Sequence, residues 1–61
     1  MSIAAQMAAQ GYLTISGAAD RAGVPYHTMR NWMFKGLVAS KKKAGKSYIS
    51  LTSIEVFLAE E

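Results

Sequence analysis

The 61-residue chain has no cysteine, which excludes both a disulfide framework and a thiolate metal site. Its single histidine cannot build a zinc site alone, and its four acidic residues are too scattered to complete one. No metal or other cofactor is expected. No apolar run approaches the length that spans a bilayer. The first residues lack the basic start and long apolar middle of a secretion signal, so the expected location is intracellular. Sixty-one residues allow one domain with one small core, close to the lower size at which a chain folds without a staple.

Acidic residues are also missing from the middle of the chain. All seven cations, Arg21, Arg30, Lys35, Lys41, Lys42, Lys43 and Lys46, lie in a block without Asp or Glu. Asp20 precedes the block, and Glu55, Glu60 and Glu61 follow it. The formal net charge of +3 understates this segregation. A concentrated positive region, with a pI near 9.5, suits a polyanion better than a neutral ligand. A membrane surface is disfavoured as partner, because the lysines do not face large apolar residues across a helix.

The stretch GVPYHTMRNWMFKG, residues 23–36, organises the rest. Gly23 suits a tight bend, Pro25 fits the first position of a helix, and Lys35-Gly36 fits its end. At about 100° per residue, Met29, Trp32 and Met33 share a face with Pro25 and Gly36. His27, Arg30, Asn31 and Phe34 lie opposite, flanked by Tyr26, Thr28 and Lys35. An amphipathic helix with a merely solvated polar face would show the same pattern. Two neighbours argue for more. The apolar segment Thr14–Ala22 ends just before Gly23, so two helices meet across a short turn, as in a helix-turn-helix. The lysine cluster KKKAGK then follows at 41–46.

Residues 2–10 have high helix propensity, with Ser2 as a cap and Gly11 as a stop. We read residues 1–11 as a helical arm that packs on the domain or on a neighbour, the alternative being a frayed terminus. Gly11–Leu13 is expected to be extended and to lead into Thr14 as cap of the next helix. There Ala18, Ala19 and Ala22 recur with Ile15, small enough for close helix packing. Gly17 occupies the place where a Glu would complete a capping box. Leu37-Val38 opens an extended segment into Lys42, Ala44-Gly45 turns, and Ser47–Ile49 returns. This lysine-tipped hairpin reads as a wing, although a lysine run alone is usually a solvated loop. The last helix starts at Ser50 or Thr52, with Thr52 favoured because Glu55 makes a capping box with it. Ile54, Phe57 and Leu58 form its apolar stripe, expected to pack on Trp32 and Leu13.

The ordered set Leu13-Thr14, Ala18-Ala19, Gly23-Val24, Thr28, Trp32, Gly36-Leu37, Ile49 and Phe57 resembles the MerR-type winged-helix domain shared with phage excisionases. The resemblance covers residues 12–58. It implies a mainly α fold with a small β-hairpin, a winged helix-turn-helix over residues 12–61, here with an additional N-terminal helix. Two positions depart from the family. Pro25 stands where a serine cap is common, which removes a phosphate contact, and Ser16-Gly17 replaces a frequently acidic pair. Full-length MerR regulators add a long dimerisation helix, and this chain stops where that helix would begin. The resemblance therefore implies a stand-alone excisionase, a recombination directionality factor in the cytoplasm of a bacterial host.

Such a protein binds tandem sites on double-stranded DNA, head-to-tail with copies of itself. It bends the duplex and steers a phage integrase toward excision. On this reading Tyr26, His27, Thr28, Arg30, Asn31 and Lys35 contact DNA from the recognition helix. Lys41, Lys42, Lys43, Lys46 and Ser47 do so from the wing. Arg30 suits guanine O6 and N7, and Asn31 suits adenine. A small MerR-like transcriptional regulator would need the same contacts. A protein-interaction module is the alternative of another class, since Phe34 and the uncharged arm also suit a partner chain. An enzyme is not expected. His27 has no acid or nucleophile close in sequence, and so small a chain offers little room for a pocket.

Overall fold

The computed structural model describes residues 2–60 as four short helices and a three-stranded antiparallel sheet. In chain order these are α1 (Ile3–Ala9), β1 (Tyr12–Thr14), α2 (Ile15–Ala22), α3 (Tyr26–Phe34), β2 (Ser40–Lys43), β3 (Lys46–Ser50) and α4 (Leu51–Ala59). Among the described residues no helix is long and apolar enough to cross a membrane.

Hydroxyl caps start three of the helices. Ser2 accepts from the Ala5 N–H at 3.1 Å, Thr14 from Gly17 at 3.1 Å, and Ser50 from Ser53 at 3.2 Å. Each satisfies one of the N–H groups that a helix start leaves unpaired. The Thr14 cap forms without a glutamate at position 17. At the far ends of α2 and α3 the chain leaves through a left-handed glycine, Gly23 at φ 72° and Gly36 at φ 73°. Beyond each, an apolar residue donates back into the helix: Val24 to the Ala19 carbonyl at 3.0 Å, and Leu37 to Trp32 at 2.9 Å. This six-to-one closure needs positive φ at the glycine, which other residues adopt only at a cost.

Two sequence expectations about helix starts are corrected. Pro25 is not the first helical residue but the cap of α3, with ψ 155° and no side-chain bond to offer. Its carbonyl accepts from Thr28 and Met29, so the ladder begins one residue later than proline's fixed φ implied. Thr52 does not cap α4. Ser50 does, because the sheet delivers the chain there: Ser50 ends β3, and the next N–H, of Leu51, donates to the Gly11 carbonyl at 2.8 Å. Thr52 lies within the first turn, and Glu55 instead reaches Arg21 on α2 at 3.8 Å.

The sheet holds one strand more than the expected hairpin. Its order is β1-β3-β2, with Leu13 opposite Ile49 and Ser40 opposite Ile49 on the other side. Residues 37–39 are not part of β2, which begins at Ser40. They form a link in which Val38 is buried and Leu37 exposed. The Ala39 N–H donates to the Ser53 hydroxyl at 2.6 Å, tying this link to α4.

Side chains alternate across a strand, so the register divides the sheet into two faces. Leu13 and Ile49 face the core of Ala18, Ala19, Met29, Val38 and Ile54, against which Trp32, Met33, Phe57 and Leu58 pack. Met29, Ile49 and Ile54 are wholly buried, each contributing about 1.5–3 kcal/mol. Ala18 and Ala19 let α3 approach α2 closely, as their size implies. Tyr12, Thr14, Tyr48 and Lys41 take the opposite face. There α1 lies along β1, and Met7 and Tyr48 are buried outside the main core. The arm thus packs on its own domain.

Candidate nucleic-acid interface

Outside the core the structure gathers its cations on α3 and the β2–β3 hairpin. Arg21 stands apart, on α2 beside Glu55. Both of those side chains are more than half exposed, so their pair contributes at most about 1 kcal/mol. The other six cations are exposed and lack an ion-pair partner among the described residues.

On α3, Met29 points into the core and Trp32 and Met33 are half-buried, which turns the opposite side outward. Tyr26, His27, Arg30, Asn31 and Lys35 are all exposed, while Thr28 is half-buried at the flank. Phe34 is 67% exposed, the most open large apolar side chain among the described residues. The Arg30 guanidinium lies over its ring, 5.0 Å from the centroid. Residues four apart on a helix are neighbours, so this contact is local.

The hairpin turns through Ala44 and Gly45, at φ 52° and 79°. Positive φ at both central residues is the pattern that matches the twist of the flanking strands. Lys43 faces Lys46 beside the turn, and Lys42 faces Ser47. Register separates the four lysines, which the sequence presents as one run. Lys41, Lys43 and Lys46 alternate onto the Tyr48 side, and Lys42 with Ser47 onto the Ile49 side. Lys41 is further distinguished because its ammonium lies 5.4 Å from the centre of the Tyr12 ring. Nothing in the local sequence announces that contact, which needs β1 and β2 to share a sheet.

Helix and hairpin come together at an open recess of about 360 Å³. It is lined by Thr14, Ile15 and Ser16 at the start of α2, Tyr26 at the start of α3, and Lys46 and Ser47 of β3. The sequence assigns Tyr26 to the recognition helix and Lys46 and Ser47 to the wing, and all three border this recess. His27, Arg30, Asn31 and Lys35 continue along α3, while Lys42 and Lys43 continue toward the turn. Ser16 was not expected from sequence, where Ser16-Gly17 reads only as a weak helix start. No cluster of metal-binding side chains occurs among the described residues. No protein-family model matches the chain, and no curated protein or solved structure matches it either.

Proposed function

We propose that this chain is a winged helix-turn-helix protein that binds double-stranded DNA in a sequence-specific way, bends it, and directs an integrase toward excision. The observation that carries the DNA reading is the shared recess. Tyr26 from the exposed helix and Lys46 and Ser47 from the cationic hairpin line one opening, so both elements can address one duplex. The helix α3 has nine residues, and a helix about 10–12 Å across with its side chains fits a major groove roughly 12 Å wide. Arg30 donates to guanine O6 and N7, Asn31 pairs with adenine, and Tyr26 and His27 reach bases or phosphates near the helix start. The hairpin lysines neutralise phosphates and supply affinity more than sequence choice, one of them reaching the minor groove.

A domain this small covers only about 600–1,000 Å² of DNA-facing surface, so one copy binds weakly. Specificity then comes from several copies on tandem sites. A head-to-tail contact between them does not close, and it propagates along the duplex. Bending a 20–30 bp site costs on the order of 1–6 kcal/mol, which the added contacts offset. The bent segment brings integrase sites together while the protein itself performs no strand chemistry.

The test is recombination with purified integrase and attachment-site DNA, with and without the chain, alongside circular-permutation bending gels. Excision that needs the chain, with bent complexes, supports the proposal. Equal excision without it leaves a small transcriptional regulator using the same contacts. Binding that ignores salt points instead to a protein-interaction module built on Phe34 and Leu37, which are 67% and 45% exposed.

A further inference from the structure

We infer that Phe34 is a positioning residue for Arg30, holding its guanidinium for a single base pair, an inference that rests on the DNA reading above. A phenyl ring left 67% exposed contributes little to the core. The guanidinium lies over it at 5.0 Å. Among the described residues Arg30 has no hydrogen-bonded or ion-paired partner that would compete.

The choice of partner matters for readout. A carboxylate would hold arginine through its N–H donors, the same donors that a guanine edge requires. An aromatic face has no lone pairs to take them up and attracts the cation through its quadrupole. The ring therefore narrows the side chain's conformers while leaving the donors available. Arginine rather than lysine suits this arrangement, since its planar group stacks on rings and its fork fits a base edge.

An exposed cation–ring contact favours the ordered arginine by about two- to fivefold. The effect should appear only where Arg30 reads the duplex. Sites are selected from random duplexes with the wild-type chain, and binding is then measured to the selected site and to every single-base-pair variant of it. Arg30→Ala identifies the base pair that Arg30 reads, one in each repeat of a tandem site. The inference expects Phe34→Leu to lose about two- to fivefold of discrimination at that pair alone, with the salt slope unchanged. Phe34→Tyr should restore it. In the Arg30→Ala background, Phe34→Leu should change nothing further at that position.

Full discrimination in Phe34→Leu, a loss at a different base pair, or the same loss without Arg30 would each overturn it. A loss at all positions together, with a weaker circular-dichroism melt, would assign Phe34 a structural role and overturn it too. If the wild-type chain selects no sequence, the DNA reading fails and takes the inference with it. If selection succeeds and Arg30→Ala relaxes one position while Phe34→Leu does not, only the inference fails.

Discussion

The rings of Trp32 and Phe57 meet with their centroids 4.8 Å apart and their planes tilted by 58°. The pair joins the inner side of α3 to α4. Because both rings are half-buried, each is edge and wall of the core at once. A double-mutant cycle with Trp32→Leu and Phe57→Leu should give a coupling of about 0.5–1.5 kcal/mol in urea unfolding. Additive losses would mean that the rings merely occupy volume. Trp32→Ala alone should cost about 3 kcal/mol, a large share of the stability of so small a domain.

Ser50 caps α4, and Thr52 does not. Ser50→Ala should therefore destabilise the domain by about 1 kcal/mol, whereas exposed Thr52→Ala should stay within about 0.5 kcal/mol. Thermal melts of the two variants decide the matter, and a reversed order would restore the capping box with Glu55.

Ala44 holds φ 52° at the hairpin turn, where a Cβ is unfavourable by roughly 1–2 kcal/mol. Ala44→Asn should raise the melting temperature, since asparagine tolerates this region and is common in such turns. Ala44→Val, β-branched at positive φ, should lower it. If the asparagine variant melts below the wild type, the turn differs from the one described.

The cationic hairpin gives a prediction in salt. Replacing Lys42, Lys43 and Lys46 with alanine should flatten the slope of log K against log salt by roughly 0.9 for each lysine that meets a phosphate. Affinity should fall alike on all sequences. Lys41→Ala should flatten it less, because that ammonium lies against Tyr12. Fluorescence anisotropy on one duplex across a salt series measures both, and an unchanged slope would return the lysines to a solvated loop.

Much of the fold was legible because its signals are local. Gly23 and Gly36 mark helix ends wherever an apolar residue follows, and Ser2 and Thr14 cap within three residues of themselves. Ala44-Gly45 marks a two-residue turn by its neighbours alone. What escaped was non-local. Three residues, Tyr12–Thr14, are too few to show a strand's alternation, and their partner lies at residues 48–50. The burial of Tyr48 is hidden for the same reason, since its partner Thr14 lies on β1, far away in the chain. Pro25 and Ser50 depart from the sequence expectation because their neighbours, rather than their own preferences, set where the helix begins. At the candidate site, the residues of α3 could be read from helical period. The division of the lysines between two sheet faces could not, since it depends on which residue sits opposite Tyr48.

Strand β3 is central in the sheet and also one arm of the hairpin. Lys46 and Ser47 are continuous with Tyr48 and Ile49, which are 2% and 0% exposed. The charged tip is thus continuous with the core through one unbroken strand. Ladder pairing of residues 40–43 with 46–49 orders that backbone when the sheet folds, so the entropic cost falls on folding rather than on binding. On the proposed DNA reading, a duplex would meet a hairpin whose backbone the sheet has already set.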